Sequence, residues 1–114
     1  MYQYKFILDR VVDGDTVDGF VDLGFDVRIK TRVRLEGVDT PEIRTKNQAE
    51  KKRGLISKQF VEDFFKTDAQ IIVHTNLDDK YGRVLGSFYN KEGQSLNQEL
   101  LAEGLAKPYH NPNG

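Results

Sequence analysis

The sequence RLEGVDTPE at residues 34–42 joins a strand pattern to a helix pattern and concentrates charged side chains between them. Its charged and oxygen-bearing members are Arg34, Glu36, Asp39, Thr40 and Glu42. A second acidic motif, DGDT, occupies residues 13–16, and a second arginine, Arg83, ends the sequence DKYGR. We interpret these three segments as parts of one site, placed where strands end.

The stretch before this loop, residues 25–35, alternates apolar and cationic residues. Val27, Ile29, Val33 and Leu35 fall on one face, and Arg28, Lys30, Arg32 and Arg34 fall on the other. Alternation with a period of two predicts a strand with one buried and one solvated face. We therefore expect the four aliphatic side chains in the core and the first three cations in solvent, whereas Arg34 adjoins the acidic loop.

Strand patterns precede and follow this stretch. Aromatic and β-branched residues predict strands at residues 4–12, 16–23, 69–75 and 81–89. Gly24, with acids on both sides, marks a hairpin turn between the second and third strands.

Two helices are indicated by their capping residues. Asn47 followed by Glu50 resembles a capping box, and the apolar residues after it keep helical spacing to about residue 66. Ser95 with Gln98 is a second capping box, before a helix at residues 96–103. Five short strands with a helix between the third and fourth are the layout of an OB-type barrel. We predict an α+β, mainly β protein: a five-stranded OB-fold-type β-barrel with two to three helices, in one domain spanning residues 1–114.

Composition narrows the possible functions. The chain has 114 residues, 38% of them hydrophobic and 31% charged, which is a globular balance. It has no cysteine, which excludes disulfides, thiolate metal sites and a cysteine nucleophile. No apolar run is long enough to cross a membrane, and the first residues do not form a signal peptide. We therefore expect a cytoplasmic chain as written, or a secreted one if a leader was trimmed, and no membrane partner.

The acidic motifs supply hard oxygen ligands. Asp13, Asp15, Asp39, Thr40 and Glu42 all carry such oxygens. Clustered carboxylates repel one another unless a cation lies among them, and Ca²⁺ and Mg²⁺ prefer these ligands. The chain has only two histidines, which argues against zinc. The alternative reading, that DGDT and DTPE are merely turns, holds for either motif alone and weakens when both follow strands.

The same residues match the needs of phosphodiester cleavage. Such a reaction needs a group that prepares a water molecule, positive charge at the phosphoryl oxygens, and a group that stabilises the leaving oxygen. Glu42 suits the first role, Arg34 with a bound cation the second, and Arg83 the third. Arginine fits because its planar fork binds phosphate oxygens in pairs and stays charged.

Four motifs in order carry a family resemblance: VVDGDTV, VRLEGVDTPE, DKYGRVLG and LNQELLAEGLAKPY. The chain resembles the staphylococcal nuclease (thermonuclease) family. The resemblance implies a five-stranded OB-type barrel and Ca²⁺-dependent hydrolysis of DNA and RNA, cutting on the 5′-oxygen side to leave 3′-phosphates. It departs from the family in its near-neutral net charge of −1 and in a hairpin before Val33 that looks longer.

Residue roles follow from the resemblance. It implies that Asp15, Asp39 and the carbonyl of Thr40 bind one Ca²⁺ ion, with Asp13 acting through water. It implies that Arg34, Glu42 and Arg83 are catalytic and that nucleotides are bound by Lys80, Tyr81 and Tyr109.

Two other functions stay open at this stage. The chain is alternatively a weak or inactive OB-type module that binds single-stranded nucleic acid, or a calcium-stabilised structural domain. A pure binding module would not need the full set of Arg34, Asp39, Glu42 and Arg83. The expected partners are DNA and RNA, single-stranded or frayed, and the expected state is a monomer.

Overall fold

A computed structural model describes residues 2–67, 70–76 and 84–109 of the chain. The elements in chain order are β1 (Tyr2–Asp13), β2 (Thr16–Gly24), β3 (Val27–Leu35), β4 (Val38–Asp39), α1 (Gln48–Thr67), β5 (Ile71–Thr75), β6 (Val84–Tyr89), α2 (Leu96–Ala102) and β7 (Lys107–Pro108).

Five of these strands close into a barrel in the order β1-β2-β3-β6-β5. The β3–β6 pair is parallel and the other four pairs are antiparallel. The predicted five-stranded OB-type barrel is thereby confirmed. The short strands β4 and β7 form a separate antiparallel pair, which the sequence did not predict because two residues carry no periodicity.

Aromatic rings fill the centre of the barrel and join it to α1. The ring of Phe6 lies 4.9 Å from that of Phe88, and the ring of Phe65 lies 5.2 Å from Phe88, both edge to face. Val61 and Phe64 of α1 are buried in the same core. The apolar stripe of α1 thus packs against one end of the barrel, as its helical spacing predicts.

The apolar face of β3 is buried over only half its length. Val33 and Leu35 are buried, but Val27 is 50% exposed and Ile29 is 52% exposed. The prediction that these last two side chains lie in the core was wrong. The described part of β6 pairs with β3 only from Val33 to Leu35, so nothing described covers the earlier part of the strand on that side.

The turn between β2 and β3 also differs from the prediction. Phe25, expected to begin the third strand, forms the turn itself together with Asp26. Both residues have positive φ, 53° and 62°. The predicted start of the fourth strand at Ala69 and the predicted start of the fifth at Tyr81 lie outside the described residues. Across the described part of the chain, no helix is both long enough and apolar enough to cross a membrane.

A buried asparagine on α2 connects three parts of the fold. The Asn97 side-chain amide accepts a hydrogen bond from the Phe88 backbone N–H (3.2 Å) and donates to the carbonyls of Glu36 (2.8 Å) and Gly86 (3.2 Å). It therefore links α2 to β6 and to the turn that leads from β3 into β4.

We expect Asn97→Ala to lower the free energy of unfolding by roughly 2–4 kcal/mol, because it leaves buried backbone groups without partners. Urea unfolding of the purified protein measures this change. Gln98→Ala, on the exposed side of the same helix turn, is the control and should change stability by less than about 0.5 kcal/mol. Equal effects of the two substitutions would contradict the role assigned to Asn97.

Two arginines share one carboxylate on the outer face of the β1–β2–β3 sheet. Arg32 binds Asp18 through two hydrogen bonds, at 2.7 and 3.0 Å, and Arg10 binds the same carboxylate at 3.1 Å. Hydrogen bonding from Arg32, with a smaller contribution from Arg10, lowers the pKa of Asp18 from 3.8 to about 2. The ion pairs therefore favour the folded state wherever Asp18 is ionised.

Because the pKa of Asp18 is lower in the folded than in the unfolded chain, its contribution is present above about pH 4 and is lost as the pH falls through about 2. We expect Asp18→Asn to cost about 1 kcal/mol or less at neutral pH, since both arginines are half exposed. The stability difference from the parent should shrink between pH 4 and pH 2 in urea titrations. A difference independent of pH would contradict the ion-pair explanation, and Asp9→Asn is the exposed control.

Candidate functional site

Arg34 lies at the end of β3, where its guanidinium is held by the loop that follows. Its Nη1 donates hydrogen bonds to the carbonyls of Leu35 (2.8 Å) and Val38 (2.7 Å). Its Nη2 lies 3.6 Å from Asp15 Oδ2 and 3.8 Å from Asp39 Oδ1. One nitrogen thus fixes the loop, and the other faces two carboxylates.

Asp15 ties the two acidic motifs together. Its Oδ2 accepts a hydrogen bond from the Thr40 backbone N–H at 3.2 Å, and its Oδ1 accepts one from the Thr16 hydroxyl at 3.0 Å. Its backbone carbonyl accepts from the Leu35 N–H at 2.8 Å. The structure therefore brings DGDT and DTPE side by side, as the sequence predicted. Asp13 lies at the end of β1, opposite Thr16 in the strand register.

The chemistry of this arrangement fits a hard divalent cation. Asp15 and Asp39 approach the same guanidinium nitrogen, so two negative charges face one positive charge. The Thr40 hydroxyl beside them is buried and has no hydrogen-bond partner. Within the described residues no three acidic, histidine or cysteine side chains form a metal cluster. A cation here would take two carboxylates and the Thr40 carbonyl, with water completing its shell, a ligand set that Ca²⁺ tolerates.

Glu42 lies on an exposed loop next to the start of α1. Its backbone N–H donates to Glu50 Oε1 at 3.3 Å. The predicted cap of α1 is half confirmed: Asn47 Oδ1 accepts from the Glu50 N–H at 3.1 Å. The Asn47 N–H, however, donates to the Thr45 hydroxyl instead of to Glu50. The Glu50 carboxylate is therefore used to hold the DTPE loop.

A cleft of about 340 Å³ opens beside Glu42, between the DTPE loop, α1 and residues 104–107. Ser57 on α1 donates a hydrogen bond to the Leu105 carbonyl at 2.6 Å and so fixes the far wall. Arg53 and Lys107 bring positive charge to the lining, and Ile56 and Pro41 bring apolar surface. Asp39, Glu42 and Glu50 also line the cleft, so acidic, basic and apolar side chains share it.

Gly54 explains how closely the loop approaches the helix. A Cβ at this position would lie 2.7 Å from the Pro41 carbonyl oxygen and 3.1 Å from that of Glu42. Those contacts are too short for any other side chain unless the backbone moves. The glycine within α1 therefore allows the DTPE loop to pack directly on the helix.

The C-terminal segment completes the site from the other side. β7 pairs with β4, which places Lys107 opposite Asp39, and the Tyr109 N–H donates to the Gly37 carbonyl at 2.9 Å. The Arg34 guanidinium carbon lies 5.4 Å from the centre of the Tyr109 ring, which is half exposed. Sequence reasoning named Tyr109 and gave Glu50 only a role as a helix cap. It gave Lys107 and Gly54 no role, because their roles depend on contacts between distant segments.

Three predicted site residues, Arg83, Lys80 and Tyr81, lie outside the described residues. Their roles stay predictions from sequence. The described structure brings Arg34, Asp15, Asp39, Thr40 and Tyr109 together, with Glu42 on the adjoining loop.

Known proteins are similar to this chain over most of its length. A family model described as staphylococcal nuclease homologue matches residues 32–113. Endonuclease YhcR of Bacillus subtilis (strain 168) is 34% identical over 115 residues, covering 94% of this chain and 9% of that protein. The thermonuclease of Staphylococcus intermedius is 33% identical over 112 residues, covering 96% of this chain and 62% of that protein. Protein MJ1439 of Methanocaldococcus jannaschii is 34% identical over 122 residues, covering 88% and 56%. The chain thus spans less than two thirds of the length of each of these relatives.

We expect Gly54→Ala to destabilise the protein by roughly 1–3 kcal/mol, because the added methyl group forces the Pro41 carbonyl away from α1. In an open helix the same change would stabilise by up to about 1 kcal/mol, so the sign of the effect tests the contact. Lys52→Ala, exposed on the same helix, serves as the control. Thermal unfolding of both variants measures the difference, and a stabilised Gly54→Ala protein would refute the close packing.

Proposed function

This chain belongs to the staphylococcal nuclease family, and on that premise we propose that it is a Ca²⁺-dependent nuclease that does not discriminate between DNA and RNA. It would hydrolyse phosphodiester bonds on the 5′-oxygen side and leave 3′-phosphates. The observation that carries the proposal is the convergence of Arg34, Asp15 and Asp39 beside the Glu42 loop.

Arg34 would stabilise the charge that builds on the phosphoryl oxygens. Its two hydrogen bonds to loop carbonyls hold the guanidinium in place before the substrate arrives. A donor that is already oriented spends no free energy on reorganisation during the reaction, which is why such groups contribute strongly to the rate. Contact with Tyr109 restricts it from another side.

Asp15, Asp39 and the Thr40 carbonyl would hold one Ca²⁺ ion, with Asp13 acting through water. When bound, the ion supplies Lewis-acid polarisation of the phosphoryl oxygen. The carboxylates of Asp15 and Asp39 both face the single positive charge of Arg34. A bound cation would balance the remaining negative charge, which supports this assignment. The open ligand set suggests weak binding, on the order of 10⁻⁴ to 10⁻³ M as in extracellular calcium modules.

Glu42 would accept a proton from the attacking water. Its carboxylate is on the exposed loop beside the cleft, and the Glu50 hydrogen bond to its backbone limits how the loop moves. Arg83 would stabilise the leaving 5′-oxygen, a role assigned from sequence. Lys80, Tyr81 and Tyr109 would bind the nucleotide, and Tyr109 is the one of these three that the described residues include.

We further propose that the substrate is single-stranded or frayed and that the protein acts as a monomer. Apolar side chains, the cations Arg53 and Lys107 and three acids line the cleft. An unpaired nucleotide would place its base against the apolar side chains and its phosphate near the two cations. The alternative function, a binding module of the same fold without catalysis, would use the same surface.

Digestion of DNA and RNA in millimolar Ca²⁺, compared with Mg²⁺ and with EGTA, tests the proposal. We expect cleavage only with Ca²⁺ and products that end in 3′-phosphates. Glu42→Gln should slow cleavage on the order of 10²–10⁴-fold, because it removes a general base, while thermal unfolding stays unchanged. Glu92→Gln, an exposed acid in a distant turn, is the matched control.

Two results would count against it. Full activity of Glu42→Gln would remove the assigned base. Tight binding of oligonucleotides in EGTA, with no cleavage under any metal condition by folded protein, would favour the binding module.

A further inference from the structure

The β2–β3 hairpin extends past the barrel and ends in an exposed aromatic residue. Its strands pair from Thr16 opposite Arg34, beside the candidate site, to Gly24 opposite Val27 at the tip. Phe25 is 100% exposed. At about 3.4 Å per residue, the tip lies on the order of 24 Å from Arg34 along β3.

Phe25 occupies a backbone position that does not favour it. Phe25 and Asp26 are the two central residues of the hairpin turn and both have positive φ. Two-residue hairpins of this kind prefer Asn-Gly, because bulky residues are strained there. The side chain also buries no surface in the fold. Folding therefore gives no reason for a phenylalanine here, which points to contact with another molecule.

The outer face of the hairpin connects this tip to the site and carries excess positive charge. By strand alternation, Arg28, Lys30 and Arg32 lie on the same side of β3 as Arg34. Asp18 is shared by Arg32 and Arg10, so one carboxylate faces two arginines. Lys30 has only a 3.7 Å contact with Asp9 between exposed side chains, and such pairs are weak. Asp22 lies opposite Arg28 in the strand register, but within the described residues Arg28 forms no ion pair.

An aromatic residue on β2 lies beside this cationic row. Phe20 is opposite Lys30 on the same face and is partly exposed. Cations beside accessible rings suit a single-stranded polyanion, since phosphates contact the charges and bases stack on the rings. The chain as a whole has a net charge of −1, so this positive face is a local feature.

We infer that the outer face of the β2–β3 hairpin is a second binding surface for single-stranded nucleic acid. Arg28 and Lys30 contact phosphates, and Phe25 stacks on a base at the tip. The inference rests on the proposed function, because it extends the path of the substrate away from Arg34. Short oligonucleotides occupy the site alone, and long ones reach both.

Self-association through the same strand is disfavoured by charge. If β3 paired with its copy around Ile29, Arg28 would face Lys30 of the second chain. Like charges directly opposite each other destabilise a strand pair, and cations on an exposed strand edge oppose such pairing. A polyanion, in contrast, is attracted by the same row.

The test compares Phe25→Asn with the parent protein on two substrates, single-stranded oligonucleotides of about 4 and about 20 nucleotides. Binding is measured by fluorescence anisotropy in EGTA, so that it does not depend on cleavage. We expect the Kd for the long oligonucleotide to rise about fivefold or more, since one stacked base is lost, and the Kd for the short one to stay unchanged. Asparagine suits the positive φ of the turn, so the variant should fold at least as stably.

Phe25→Tyr is the matched control, and its Kd for the long oligonucleotide should equal that of the parent because the aromatic ring is kept. The charges are tested separately with Arg28→Gln and Lys30→Gln, each of which should reduce the salt dependence of long-oligonucleotide binding by about 0.7 in log–log slope. Lys66→Gln, at the end of α1, should not reduce it.

Equal Kd values for parent and Phe25→Asn on the long oligonucleotide would overturn the inference. So would a concentration-dependent dimer of the parent that Phe25→Asn abolishes while nucleic-acid affinity stays the same. Failure of the proposed function looks different: the parent then cleaves neither substrate with Ca²⁺, whatever the anisotropy data show.

Discussion

The guanidinium of Arg34 is the point at which the barrel, the acidic loop and the C-terminal segment meet. Two hydrogen bonds to the carbonyls of Leu35 and Val38 set the path of the chain after β3. The same side chain faces Asp15 and Asp39 and contacts Tyr109. A lysine has one charged nitrogen and no planar fork, so it would not satisfy the carbonyls and the carboxylates together. Position and chemistry at this site therefore depend on one residue.

The DTPE loop has no regular structure after Asp39, yet α1 fixes it at two places. Gly54 lets the Pro41 and Glu42 carbonyls approach the helix, and Glu50 accepts a hydrogen bond from the Glu42 N–H. Ser57, one turn further on, holds the opposite wall of the cleft. A loop supported by a packed helix can carry exposed functional groups while keeping their geometry.

The barrel could be predicted because the patterns that indicate its strands and helices each lie within one short segment of the sequence. Alternation defined β3, and Ser95 and Asn47 marked helix starts at which their side chains do accept the expected bonds. The same patterns failed where the outcome depends on distant partners. Val27 and Ile29 match a buried strand in sequence, but both are about half exposed, and the described part of β6 pairs with β3 only from Val33 onward. Glu50 fits a capping box, but the Glu42 N–H competes for its carboxylate. The site residues in DGDT and DTPE could be predicted because each motif is a short continuous segment. The position of Lys107 beside Asp39 could not, because it depends on the pairing of β4 with β7.

The parallel pairing of β3 with β6 has a consequence for how the barrel assembles. Its described register covers three residue pairs, and the first, Val33 with Val84, joins positions about 50 residues apart. The β1–β2–β3 meander needs only tight turns between its strands. Pairing β3 with β6, which we call the seam, instead closes a long loop, and the chain loses more conformational entropy when that loop forms. Arg34 lies within the seam, opposite Leu85. Closing the ring therefore costs more chain entropy than forming the meander, and it pairs the strand that carries Arg34 with a segment from the second half of the chain.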